Sequence, residues 1–351
     1  MKISSCKAAI LVNQNQALEI DTIHFPEALE YGQVLVKLSC SGICGSQIGE
    51  ITGAKGEDKY LPHLLGHEGS GTVIECGPGV THVQENDAVV LHWRKGKGIE
   101  SKPPKYSWNG NQLNAGFVTT FNEYAIVSEN RLTKIPNNFS KEIAALFGCA
   151  VTTGFGVINN NAQLKIGESV LVYGAGGVGL NIIQAAAMSS GHPIIAIDRI
   201  DSKLELAKKF GATHVLNSKK SDIIKEVSAI VGPTGVDVAI DNTGNPDVIA
   251  QCYQLTQPKG KTILVGVVKK DQKISFYPLP IHFGKTITGS HGGECNPSTD
   301  IPNYLRLYEY GKLDLSQLIT DTYSLDEINI GIEKIIAGEV SGRCLISILN
   351  G

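Results

Sequence analysis

The sequence predicts a two-domain α/β protein, a β-rich domain followed by a doubly wound parallel sheet. Three observations carry that prediction. The chain has 351 residues, enough for about two domains of ordinary size. As far as residue 150 it is glycine-punctuated and broken into short apolar-alternating runs. From 151 to 289 strand-like and helix-like runs alternate, as they do where parallel strands are joined by crossover helices.

Taken in order, 34–38 (VLVKL) and 71–76 (GTVIEC) are strands bounded by the turn signals Tyr31-Gly32 and Gly77-Pro78-Gly79, and 88–91 (AVVL) is a third. In the second stretch, strands are expected at 169–173, 193–198, 214–216, 236–241 and 261–267, with helices at 178–189 and 202–210 among them. A helix at 301–310 and a strand at 343–348 close the chain and are assigned back to the first domain. The expected domains are therefore 1–150 with 290–351, and 151–289.

Composition narrows the function classes. Basic and acidic residues number 31 and 34, the net charge is −3, and neither sign forms a long run. Such a surface gives no footprint for nucleic acid or for an anionic membrane. The start, MKISSC, lacks the apolar run of a signal peptide, and no stretch of about 18 apolar residues offers a membrane span. The eight cysteines are scattered without a C-x-x-C pair, which fits a reduced, cytoplasmic protein whose thiols mostly fill core. A small molecule is the expected partner.

The run 168–173 (ESVLVY) leads directly into Gly174-Ala175-Gly176-Gly177-Val178-Gly179 and a helix-like stretch. G-x-G-x-x-G between a strand and a helix is the dinucleotide-binding turn of the Rossmann fold. Gly174 turns the chain, Gly176 admits the pyrophosphate, and Gly179 lets helix and sheet pack closely. Gly177 and Val178 open the helix, whose N-terminus faces the phosphates. Asp198 ends the next strand, 198 − 174 = 24 positions after the first glycine. A carboxylate there accepts the ribose hydroxyls and repels a 2′-phosphate, so NAD is expected over NADP. Arg199, next in sequence, acts in the opposite sense.

Cys44 in Gly42-Ile43-Cys44-Gly45-Ser46, His67 in Gly66-His67-Glu68 and Cys149 in Cys149-Ala150-Val151-Thr152-Thr153-Gly154 supply two thiolates and an imidazole. Three such donors leave a tetrahedral zinc with an open fourth position, but they lie far apart and form no local zinc motif. Together with the glycine turn, in this order along nearly the whole length, these motifs resemble the zinc-dependent medium-chain dehydrogenases of alcohols, polyols and threonine. The resemblance implies a GroES-like catalytic domain beside the Rossmann domain. It implies one catalytic Zn2+ on Cys44, His67 and Cys149, and hydride transfer between an alcohol and NAD through a zinc-bound alkoxide. Ser46 resembles the proton-relay hydroxyl and Glu68 the carboxylate behind the metal. Thr153 and Val267 fall where relatives touch the nicotinamide, Lys203 at the adenosine ribose, Arg343 at the pyrophosphate, and Trp93 in the substrate pocket. Relatives assemble as homodimers or homotetramers.

The chain departs from that pattern in four places. Gln47 stands where many relatives hold the ligand histidine with an aspartate, and Gly49 where some carry a second relay histidine. From Gly77 to Gly148 there is no cysteine, which excludes a structural Cys₄ zinc. The segment 92–108 carries both tryptophans and a cluster of basic residues instead. These features point to a polyol or sugar-derived alcohol. The rival readings are a zinc-free quinone or enoyl reductase of the same fold, whose members usually lack the Cys–His set, and a non-catalytic NAD(P)H-binding protein.

Overall fold

The computed structural model describes residues 1–348. The chain folds as two compact units, Met1–Cys149 with the stretch from Asn296 on, and Ala150–Cys295.

The first unit is built on two sheets. Alternation along Ser5–Leu11 shows why they pack: Cys6, Ala8 and Ile10 enter one core, Ala9 and Leu11 the other. A strand of period two that is apolar on both faces must be covered on both. The five-stranded sheet runs His63–Leu64, Ser5–Leu11, Glu19–His24, Tyr106–Trp108, Asn111–Leu113. The larger sheet runs Leu132–Ile135, Ala88–His92, Glu68–Cys76, Gln33–Ile43, Arg343–Ser347, Ile319–Ser324, and Tyr124–Ser128 also pairs with Gln33–Ile43.

Register in the larger sheet positions the site. Ser41 lies opposite Gly69, and Ile43 opposite Cys344. The central strand Gln33–Ile43 therefore ends with Cys44 beside the first residues of two neighbours, the strands that open on Glu68 and Arg343. On the far side of Glu68–Cys76, Glu68 lies opposite His92.

The second unit is a six-stranded all-parallel sheet, His214–Asn217, Ile194–Asp198, Val170–Tyr173, Val236–Asp241, Thr256–Leu264, Thr286–Gly289. In chain order this is 3-2-1-4-5-6, the doubly wound arrangement whose order reverses beside its first strand. Helices Gly177–Met188, Asp201–Lys209, Ile223–Val231 and Pro246–Leu255 make crossovers. The first strand is buried on both faces, as a central parallel strand must be.

Three elements differ most from the sequence reading, the first being the strand expected at 34–38, which runs Gln33–Ile43. The strand expected at 261–267 begins at Thr256 and ends at Leu264. The N–H groups of Val265 and Gly266 both turn onto the Asp241 carbonyl, so Val267 lies beyond the sheet, 70% exposed. The helix expected from 301 begins at Pro297, because Asn296 caps the Ser298 N–H and proline suits the first helical position. The second unit extends to Cys295, held there by Asn160, whose amide donates to the Gly293 carbonyl at 2.8 Å. No helix among the described residues is long and apolar enough to cross a membrane.

Candidate active site

All eight cysteines are free thiols. Cys44, His67 and Cys149 bring one donor atom each to within 4.8 Å of one another, the only such group among the described residues. Each comes from a connection between elements. Cys44 links the strand Gln33–Ile43 to the helix Gly45–Ile51. His67 precedes the strand Glu68–Cys76. Cys149 follows Gly148, where any side chain would strike the Leu91 carbonyl at 2.4 Å and the Glu68 Cα at 2.7 Å. A residue without a side chain at 148 is what lets the Cys149 backbone close on the His67 strand.

The donor set fits a metal ion. The two Sγ atoms are 3.9 Å apart, close to the ~3.8 Å that separates two sulfurs across a tetrahedral zinc with bonds of about 2.3 Å. His67 Nε2 is buried and has no hydrogen-bond partner among the described residues, a condition that protein interiors rarely leave without a ligand. Hydrogen bonding from Cys149 lowers the Cys44 pKa well below the usual thiol value against the effect of burial, with Arg343 and His67 adding to the lowering. The same bond and burial raise Cys149. Binding a cation here would displace the proton the two sulfurs share.

The surrounding residues fix the donors. Gln47 is buried, and its carboxamide spans two ligands: Oε1 accepts the Cys44 backbone N–H at 3.0 Å and Nε2 lies against His67 Nδ1. A metal on Nε2 leaves the imidazole proton on Nδ1, so the amide must then turn its oxygen toward the ring. Ser46 Oγ lies 3.4 Å from the same Nδ1. Glu68 is fully buried, and Arg343, also buried, donates from Nη2 to its Oε1. Burial pushes the Glu68 carboxyl up while Arg343 pulls it down. Burial likewise opposes the Arg343 charge, but Glu68, Cys44 and Cys149 outweigh it and hold Arg343 above its ordinary value. The contact itself, a guanidinium N–H on a carboxylate oxygen, identifies an ion pair. Pairing of Arg343–Ser347 with Gln33–Ile43 turns the Arg343 guanidinium onto Glu68, a partner the sequence reading does not name. Only its adjacency to Cys44 across the sheet reveals that role, and adjacency of this kind leaves no mark in the sequence.

Trp93 stands opposite His67, ring centroids 6.3 Å apart and edge-on at 62°. Trp108 leaves this region for the other sheet, where its indole N–H donates to Asp21 at 2.7 Å. In the second unit, Asp198 Oδ2 accepts the Ala175 N–H at 2.8 Å, inside the glycine turn. Its Oδ1 accepts the N–H groups of Arg199 and Ile200. Gly176 caps the helix that Gly177 and Val178 begin, and a Cβ on Gly179 would lie 1.9 Å from the Gly174 carbonyl oxygen. Thr153 is buried in the helix Ala150–Gly156, Arg199 is exposed, and Lys203 is half-buried on Asp201–Lys209.

Comparison with known proteins agrees with this architecture. Residues 30–137 match the alcohol dehydrogenase GroES-like domain family, and residues 177–309 match the zinc-binding dehydrogenase family. The S-(hydroxymethyl)glutathione dehydrogenase of Escherichia coli O1:K1 is 32% identical, over 95% of this chain and 97% of that protein. Benzyl alcohol dehydrogenase from Acinetobacter calcoaceticus superposes with a TM-score of 0.88 at 30% identity, over 99% and 100% of the two chains. The 2R,3R-butanediol dehydrogenase of Bacillus subtilis does so with a TM-score of 0.79 at 28% identity, over 97% and 99%. The chain is a member of the zinc-dependent medium-chain alcohol dehydrogenase family.

Proposed function

We propose that Cys44, His67 and Cys149 hold one catalytic zinc, and that the chain uses it to oxidise a hydroxyl of a polyol or sugar-derived alcohol with NAD. The observation that carries the reading is the donor triad itself: two sulfurs 3.9 Å apart and a buried imidazole nitrogen with no partner among the described residues. When bound there, zinc supplies Lewis acidity that lowers the pKa of a hydroxyl at its fourth position, and the nicotinamide supplies the hydride acceptor.

The remaining work belongs to side chains. Ser46 Oγ takes the proton that leaves the substrate hydroxyl, and Gly49 offers no second relay group, so that proton leaves through water or a cofactor ribose hydroxyl. Glu68 balances the site's charge from behind, with Arg343 fixing its position. Trp93 forms a wall beside His67. In the second unit, Asp198 holds the adenosine ribose and disfavours a 2′-phosphate, with Lys203 nearby on the next helix. Gly174, Gly176, Gly177, Val178 and Gly179 receive the pyrophosphate. Thr153 and Val267 serve the nicotinamide half, and Met1–Cys149 with the stretch from Asn296 on is the catalytic domain. Tyr277, Leu279, Ile281 and Phe283 are exposed next to the edge strand Thr286–Gly289. An apolar run beside an open edge suits pairing with a second copy, and we assign a homodimer to that face.

The test is a panel of alkanols, polyols and sugar alcohols read by NADH formation, run before and after treatment with a zinc chelator. NAD-linked turnover of a polyol that the chelator abolishes and added zinc restores is the expected result. Activity indifferent to the chelator would favour the zinc-free reductase reading, and NADH binding without turnover of any member would favour a binding protein.

A further inference from the structure

We propose that His92 sets the position of Trp93, and with it the width of the space beside His67 in which an alcohol binds. His92 is thus a positioning residue, and its consequence for substrate choice rests on the dehydrogenase reading above. The strand Ala88–His92 ends at this histidine. Glu68 lies opposite His92, and one residue further out the rings of His67 and Trp93 face each other, centroids 6.3 Å apart. Successive side chains of a strand point to opposite faces, so the His92 ring leaves on the face away from Trp93. Thr133 lies opposite Val90, two residues before His92 and therefore on that same face.

Both ring nitrogens of His92 are engaged. The residue is 1% exposed, its Nδ1 lies 2.7 Å from the Arg94 carbonyl oxygen, and its Nε2 lies 3.0 Å from Thr133 Oγ1. A carbonyl only accepts, so Nδ1 carries the proton and donates it, and Nε2 of the neutral ring accepts the Thr133 hydroxyl. Burial pushes the imidazole down to about 4, with the charge of Arg131 adding to the lowering against the pull of nearby carbonyls, and this keeps the ring neutral. The two bonds do different work. The bond to Thr133 ties the ring to the neighbouring strand. The bond to Arg94 reaches past Trp93 to the carbonyl on its far side, closing a loop of backbone that contains Trp93. Beyond Arg94 the chain runs on outside the ladder, the Gly96 N–H donating to the Asn130 carbonyl at 2.8 Å and the Lys97 N–H to Ser298 Oγ at 2.7 Å. A Cβ on Gly96 would stand 3.4 Å from His92 Cε1, so the bend folds back against the imidazole. One buried side chain therefore holds the backbone on both sides of Trp93 and fixes the direction in which the indole leaves the strand. A displacement of about 1 Å at the wall of a site changes how a substrate is held.

Two amides separate the two bonds, because the side-chain nitrogen of asparagine falls near the place of imidazole Nδ1 and that of glutamine near Nε2. His92→Asn keeps a donor for the Arg94 carbonyl and gives up Thr133, and His92→Gln does the reverse. In a Trp108→Phe background Trp93 is the one tryptophan, and acrylamide quenching of its fluorescence reports how the indole is seated. His92→Gln is expected to raise the quenching constant and His92→Asn to leave it at the parent value. In the zinc-loaded enzyme, the ratio of kcat/KM between a branched and a short alcohol is expected to change by about 10-fold in His92→Gln, through KM with kcat kept, and to stay in His92→Asn. Stability alone follows the other bond: His92→Asn and Thr133→Val should lower the Tm without moving either readout. Parent values in His92→Gln, or equal shifts in His92→Gln and His92→Asn, would overturn the proposal. Should His92→Gln not fold, His92→Asn decides, parent values supporting the proposal and a shift in either readout contradicting it. If no alcohol is turned over with zinc and NADH bound, the dehydrogenase reading fails, and quenching alone decides what places Trp93.

Discussion

The two units of this chain place their chemistry in opposite ways. In the second, the glycine turn occupies six consecutive residues, and the acid beside it, Asp198, is tied back to that turn by one hydrogen bond from Ala175. In the first, the donors are separated by 67 − 44 = 23 and 149 − 67 = 82 positions, and only sheet register together with the close approach at Gly148 brings them within 4.8 Å. One site is a property of a short backbone segment. The other exists only when the whole sheet has formed. Damage to either should therefore have a separate signature, and four substitutions test that separation.

The largest effect is expected from Cys149→Ser. Loss of one of three donors should release the zinc and lower kcat/KM by about 10³-fold or more, since the metal contributes several kcal/mol of charge stabilisation. NADH affinity, followed by fluorescence titration, should be kept. Zinc retained at one per chain would show that Cys149 is not a ligand. Gly179→Ala is the mirror experiment. A Cβ 1.9 Å from the Gly174 carbonyl must force the turn open, costing about 1–3 kcal/mol, or roughly 10- to 100-fold in NADH affinity. Metal analysis of that variant should still find one zinc, and a loss of metal would break the proposed independence.

Glu129→Gln damages the first unit's scaffold without touching a donor. Its carboxylate is fully buried and accepts the N–H groups of Thr81, His82 and Ile99 at 2.6, 2.7 and 2.7 Å. Burial alone would raise its pKa, but these bonds hold it below the usual carboxylate value. A group lowered on folding stabilises the protein above its unfolded pKa, and that contribution is lost as pH falls through the folded value. The variant should be about 1–3 kcal/mol less stable at pH 7. The gap should shrink in acid below about pH 4, with zinc content unchanged. A pH-independent gap in thermal melts would argue against an ionised Glu129. Asp198→Ala carries the smallest expected effect, a narrowing of the NAD over NADP preference by about 5-fold, from loss of hydrogen bonds worth about 1 kcal/mol. An unchanged ratio would remove Asp198 from the ribose site.

The same contrast explains what the sequence made legible. The parallel sheet could be read because central strands are continuous apolar runs, and the glycine turn because its backbone requirements are local. The triad was recognisable only by resemblance, since no spacing rule links Cys44 to Cys149. The strand expected to reach Val267 ends three residues earlier, at Leu264, because the Asp241 carbonyl that draws Val265 and Gly266 out of the sheet comes from a neighbouring strand. The Arg343–Glu68 contact leaves no trace in the sequence, because its partners lie 275 positions apart.

The central claim is that one zinc is held by two sulfurs and one imidazole, with no second metal. X-ray absorption at the zinc edge of the purified protein tests it most directly. One zinc per chain is expected, with two sulfurs at about 2.3 Å and the remaining ligands nitrogen or oxygen at about 2.0–2.1 Å. A shell of four sulfurs, or two zincs per chain, would contradict it.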